Sequence, residues 1–244
     1  MKKTPLNIKV LYEDNHVIAV FKPAGVLTQG DSSGRTSLYD MVKDYLKEKY
    51  NKPGNVYLGL VHRLDKPVSG IVLFGKTSKG ASRLSAQFRE HTIQKTYHAI
   101  VLGKPTEQEQ TLKQTVNKIS FFVQGYSEKS DEELLAEIKK ATKTRTAELS
   151  YQVTKANGKY SLLKVLPRTG RFHQIRIQMA KMGCPILGDN KYANSIDRGK
   201  FKGVWPHQNR IALSATGILF KTAVDAKEVG LEIPLPEDWN AYIK

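Results

Sequence analysis

Val61-His62-Arg63-Leu64-Asp65-Lys66-Pro67-Val68-Ser69-Gly70-Ile71-Val72-Leu73 sets one carboxylate in a short turn between two apolar stretches. Residues 56–62 and 70–75 read as strands on either side of it. A His, an Arg and a Lys stand beside Asp65, and nearby positive charge favours the carboxylate anion. Asp65 is therefore suited to act as a nucleophile or base, not as a proton donor. An aspartate turn before Lys-Pro is also a common structural device, and the stretch alone does not choose between the two readings.

Outward from this turn, strand-like and helix-like blocks alternate without the regular repeat of a doubly wound parallel sheet. The expected fold is α+β, one domain over residues 1–244 built around a large mixed, mostly antiparallel sheet with flanking helices and an active-site cleft. Upstream, residues 10–12 and 17–22 read as strands, the second ending in Lys22-Pro23-Ala24-Gly25 turn chemistry. Leu38, Met41, Val42, Tyr45 and Leu46 fall at helical spacing behind a Ser37 cap. Downstream, Ser78 caps a helix with Ala81, Leu84, Phe88 and His91 on one stripe, and residues 94–102 form the next strand. Asn157-Gly158 is a strong hairpin signal, and Phe172, Ile175, Met179 and Met182 make the apolar stripe of a helix closed by Gly183. The charged segment 127–144, with Ser130 and Glu133 as a capping box, is expected to be a peripheral helical insertion.

With 39 Lys+Arg against 23 Asp+Glu, the formal charge is +16 and is spread along the chain, so a polyanionic partner is expected. The lone cysteine, Cys184, excludes an intramolecular disulfide and a zinc site with several thiolates, and fits a reducing cytoplasm. No apolar run approaches membrane-spanning length and no signal-type segment follows Met1-Lys2-Lys3. A cytoplasmic, soluble monomer is expected.

Two further clusters carry chemistry. In Arg168-Thr169-Gly170-Arg171-Phe172-His173-Gln174-Ile175-Arg176, Arg176 lies four residues after Phe172, along the edge of the buried stripe. A guanidinium there needs an anion, and Asp65 is the expected partner; an internal salt bridge without chemistry explains the residue equally well. Asp189, in Gly188-Asp189-Asn190, looks like a turn residue. In Gln94-Lys95-Thr96-Tyr97-His98, Lys95 and Tyr97 share a strand face, where a ring can stack on a base and an ammonium can take phosphate; a strand Tyr more often fills core. Lys191, Tyr192, Arg198, Lys200, Lys202, Trp205 and His207 form a basic loop with interleaved aromatics, read either as an RNA-contacting rim or as an irregular surface loop.

His62-Arg63-Leu64-Asp65 leading to Ser69-Gly70, then Lys95-Thr96-Tyr97, Gly170 to Arg176 and Pro185-Ile186-Leu187-Gly188-Asp189 occur in the order of the RluA-type RNA pseudouridine synthases, which the chain resembles over nearly its whole length. Tyr12-Glu13-Asp14, Lys22-Pro23-Ala24-Gly25 and residues 213–220 are similar to that family too. The resemblance implies isomerisation of uridine in RNA, ribosomal or transfer, without cofactor or metal. It makes Asp65 the essential carboxylate, sets Tyr97 against the flipped uracil, and has Arg176 pair with and orient Asp65. Arg63 would hold RNA where the base has left the stack, with His62, Lys95, Arg171, Gln174 and Lys22 also on the RNA path and Leu213 in the pocket wall. The chain departs from the family pattern at Val68, where a Thr is usual, and at Gln178 and Cys184, where His is frequent. The additional N-terminal S4-like module of many relatives is not expected here. A catalytically inactive RNA-binding or ribosome-assembly protein on the same fold is the alternative.

Overall fold

The computed structural model describes residues 8–32, 34–116, 145–201 and 204–244; the expected insertion at 127–144 lies outside them. Among the described residues, ten strands and four α-helices give the mixed α+β fold that the alternating pattern predicts. They gather in two compact units, Met1–Lys95 with Ser214–Leu235, and Thr96–Leu213 with Pro236–Lys244.

In the first unit, β1 (Lys9–Glu13), β2 (Val17–Lys22), β4 (Ser69–Gly75) and β9 (Leu213–Lys221, its first residue in the second unit) lie side by side in that order, with β3 (Gly59–Leu60) on β4 and β10 (Glu228–Glu232) on β9. β4 and β9 run parallel, Ser69 opposite Ser214 and Gly70 opposite Ala215, while the other pairings of this unit are antiparallel. Every residue of β4 is buried, as the unbroken apolar run Ile71-Val72-Leu73-Phe74 requires of a strand covered on both faces. Val17, Ala19, Ile71 and Leu73 build one core cluster with Leu84 and Phe220. Helix α1 (Leu38–Lys49) starts at a capping box in which Ser37 and Asp40 satisfy each other's backbone N–H.

Three expectations need correction in this unit. Of residues 56–62 only Gly59 and Leu60 form strand, because Thr28 bonds both the N–H and the carbonyl of Leu64 and draws the approach to Asp65 into a loop. Helix α2 (Ser78–Arg89) is capped by Thr77 rather than Ser78, its hydroxyl accepting from Gly80 N. His91 sits beyond that helix at φ 57° and does not continue the stripe.

The parallel pair is close because Gly70 has no side chain. Its φ is 134°, and an added Cβ would come within 2.3 Å of the Ala215 carbonyl oxygen and 2.6 Å of the Ala215 Cβ. Gly70→Ala is expected to force the strands apart and lower stability by about 2–4 kcal/mol through overpacking and backbone strain, read as an earlier urea midpoint. An unchanged midpoint would show that β4 and β9 separate without penalty.

In the second unit, β5 (Gln94–Leu102, its first two residues in the first unit), β8 (Tyr160–Pro167), β7 (Arg145–Ala156) and β6 (Glu109–Val116) follow in antiparallel order. The hairpin forms as expected, with Gly158 at φ 80° and the Asn157 side chain accepting from Tyr160 N at 2.9 Å. Helix α3 begins at Gln174 and runs to Lys181, so Phe172 and Met182 flank it and do not belong to its stripe. Six consecutive residues from Gln174 to Met179 are buried, and a one-sided apolar pattern cannot describe a helix enclosed on all sides. Helix α4 (Ser195–Phe201) lies in the basic loop. Tyr192 and Trp205 of that loop are buried, Trp205 donating to the Arg210 carbonyl, so its aromatics serve packing and not an exposed rim.

Candidate active site

The turn that carries Asp65 is held from the loop after β2. Asp65 O accepts from Val68 N at 3.0 Å, closing the turn. Gly25 N donates to the Lys66 carbonyl at 2.8 Å, and the Lys22 ammonium donates to the carbonyls of Pro23 (3.0 Å), Val26 (2.7 Å) and Lys66 (3.3 Å). Thr28 fastens Leu64 just before the carboxylate, donating to its carbonyl at 2.8 Å and accepting from its N–H at 3.2 Å. Lys22 has no exposed surface; burial lowers its pKa to about 7, and the Asp65 carboxylate opposes that shift. Lys22, expected on the RNA path, is instead an internal tie between the Lys-Pro-Ala-Gly loop and the Asp65 turn.

Next to the turn, His62 Nε2 accepts from Leu73 N at 2.9 Å, which assigns the ring proton to Nδ1. The ring stacks on Phe88 at 4.6 Å, and burial, then the Lys95 ammonium, depress its pKa to about 3. A neutral imidazole so engaged supports strand β4 and is a poor ligand for phosphate. Lys95 is half-buried, its pKa brought down to about 8 by burial, and Arg63 is exposed.

In the second unit the decisive contact is Arg176 with Asp189. Nε donates to Oδ2 at 2.7 Å and Nη2 to Oδ1 at 2.8 Å, both residues being buried. The guanidinium also lies 5.0 Å from the Tyr192 ring centre. Asp189 does sit in a turn, donating its N–H to Ile186 O, but the same residue supplies the anion that the buried Arg176 demands. Only half of that was read from sequence. Gln174, expected on the RNA path, is interior: its Oε1 accepts from Thr169 Oγ1 and Arg171 N, and its Nε2 donates to Glu148 O. Arg171 donates from Nε to Thr146 O at 3.1 Å. Leu213 is buried at the start of β9, and Tyr97 is half-buried on β5 opposite Val165.

The model of the RNA pseudouridylate synthase family matches residues 16–181. The chain belongs to that family. It is 34% identical over 232 residues to a ribosomal large subunit pseudouridine synthase C of Rickettsia bellii, covering 95% of this chain and 69% of the relative. It is 30% identical over 240 residues to a tRNA pseudouridine synthase C of Vibrio parahaemolyticus, covering 97% and 94%. A solved structure, human RNA pseudouridylate synthase domain containing 4, shares the fold with a TM-score of 0.72 at 22% identity, over 95% of this chain and 90% of that one. The protein is thus an RNA pseudouridine synthase, an isomerase. Among the described residues of this synthase, no group of three or more His, Cys, Asp or Glu could hold a metal ion, and no helix is long and apolar enough to cross a membrane.

Thr28 had no signal in the sequence of this pseudouridine synthase, since its role depends on a loop folding back 36 residues. Lys22 offers a direct test of the tie. A lysine whose pKa falls from 10.5 to about 7 on folding leaves the unfolded chain with more bound protons between those values, so stability rises with pH there. The stability difference between wild type and Lys22→Met is expected to move toward wild type by about 2 kcal/mol from pH 7 to pH 9, as measured by urea unfolding. A pH-independent difference would mean the ammonium stays fully charged.

Proposed function

We propose that this synthase isomerises uridine in structured RNA, with ribosomal RNA favoured over transfer RNA, and that Asp65 is its essential carboxylate. The carrying observation is the immobilised acid: the backbone on both sides of Asp65 is fixed by Lys22, Gly25 and Thr28. The substrate class draws support from the 34% identity to a synthase named for the ribosomal large subunit.

The reaction breaks a glycosidic bond, turns the freed uracil and rejoins it through carbon, so water must be kept out or hydrolysis competes. Hydrolytic glycosidases use two opposed carboxylates; here one acid is set among cations. Asp65 can attack the sugar or remove a sugar proton, and either task needs an ionised oxygen held still. In this reading Tyr97 lies against uracil, and Arg176, itself held by Asp189, orients Asp65. Leu213 lines the pocket, and residues 1–244 act as one catalytic domain. Arg63, Lys95 and Arg171 meet RNA. His62, Gln174 and Lys22 position the elements that do, since their polar atoms are engaged inside the protein. No cofactor or metal is invoked, and the enzyme acts as a cytoplasmic monomer.

A uridine inside a helix must be extruded, at about a few kcal/mol, and contacts to phosphate offset that cost. RNA affinity is accordingly expected to fall steeply with salt, the logarithm of the association constant declining linearly with that of salt concentration as counterions are released. A flat response in filter binding would remove the basic surface from recognition. The function itself is tested by carbodiimide mapping of pseudouridine in total RNA from cells with the wild-type gene, a deletion, or Asp65→Asn. A reverse-transcription stop lost in both altered strains identifies the nucleotide. Unchanged stops in both would overturn the proposal.

A further inference from the structure

Phe172 is 61% exposed at the turn into α3, where the sequence pattern predicted a core residue. Its ring lies face to face on His173, centroids 3.7 Å apart and planes 18° apart. Neighbouring side chains cannot meet this way in a helix or a strand. They do so here because His173 holds φ 49°, a left-handed conformation that is uncommon outside glycine and costs free energy. The imidazole is fixed in turn by the Tyr192 hydroxyl, 2.5 Å from Nδ1. Burial, followed by the Arg176 and Lys191 charges, keeps it neutral, with a pKa of about 3. The Lys191 ammonium stands 5.9 Å from the Phe172 ring centre, and Lys191 is exposed.

A single exposed apolar side chain is ordinary on a protein surface. An exposed aromatic ring held rigid by a second ring, on a strained backbone and beside a cation, has the parts of a single-stranded nucleic-acid contact: a π-face for a base and a charge for the adjoining phosphate. We infer that Phe172 is a stacking platform for an unpaired base of the substrate RNA, with Lys191 taking the phosphate next to that base. The inference rests on the RNA-modifying reading above and adds to it a contact outside the proposed catalytic set.

The test compares the full chain with Phe172→Leu and Phe172→Trp on two probes: a mixed-sequence single-stranded RNA of about 20 nucleotides, and an abasic strand of the same length and charge. Phe172→Leu is expected to weaken binding of the RNA by about fivefold to a hundredfold and to leave the abasic strand unchanged. Phe172→Trp is expected to bind RNA like wild type and to show indole fluorescence quenched by the RNA but not by the abasic strand; the native Trp205 and Trp239 are buried. Equal RNA affinity for Phe172→Leu and wild type, an equal loss on both probes, or an unquenched indole would overturn it. Failure of the function itself shows separately, as unchanged pseudouridine stops with Asp65→Asn.

Discussion

Asp65→Asn is expected to bind RNA as the wild type does and to lose pseudouridine formation by about ten-thousandfold or more. Asparagine has nearly the shape of aspartate, and the bonds that hold this turn go to main-chain atoms: Val68 N to Asp65 O, Lys22 to Lys66 O, and Thr28 to Leu64. The substitution therefore leaves the cradle in place and removes only the negative charge, so a loss of rate reports on the reacting group and not on folding. It also withdraws the charge that holds up the Lys22 pKa, so that ammonium should titrate below its present value of about 7. Single-turnover assays on the mapped RNA, with filter binding on the same protein, separate the two effects. Turnover above about a hundredth of wild type would remove Asp65 from the chemistry.

Asp189→Asn is expected to cost about 3–5 kcal/mol of stability, together with most of the activity. The Arg176–Asp189 pair is buried, with side-chain exposures of 6% and 2%, and both oxygens of the carboxylate are used. Removing one charge from a buried pair is more costly than removing both. The melting temperature should fall by roughly 10 °C. Arg176→Met with Asp189→Leu should recover much of that stability while activity stays lost, which would separate the pair's structural part from its orientation of Asp65. Arg176→Lys should also fail in turnover while still binding RNA, since a point charge cannot reproduce the two-pronged contact. A thermally unchanged Asp189→Asn would mean that the guanidinium has a better partner elsewhere.

Much of this was legible in the sequence because it is local. The Asn157-Gly158 hairpin, the Ser37 cap and the turn at Asp65 each depend on residues within a few positions of one another. What escaped was long-range or polar and buried. Lys22 and Gln174 look like surface residues by type, yet carbonyls brought from other segments satisfy their donors inside the protein. Arg176 was correctly read as buried and in need of an anion; Asp189, thirteen residues on, was passed over because a Gly-Asp-Asn turn hides its second role. Phe172 failed the helical pattern for the opposite reason: a left-handed His173 ends the periodicity on which the reading relied.

Ser69 and Gly70, four and five positions beyond Asp65, take as their parallel neighbours Ser214 and Ala215, and the Ser69 hydroxyl donates to that of Ser214 across 145 positions. Loop closure over such a span is slow, and pairings of this kind form late. During synthesis from the N-terminus, the strand that leaves the Asp65 turn must wait until residues 145 positions further on have emerged before its neighbour exists. The order of translation thus acts as a timer: a nascent chain can present basic residues to RNA well before β4 has its parallel neighbour, and competence to modify waits on that later pairing.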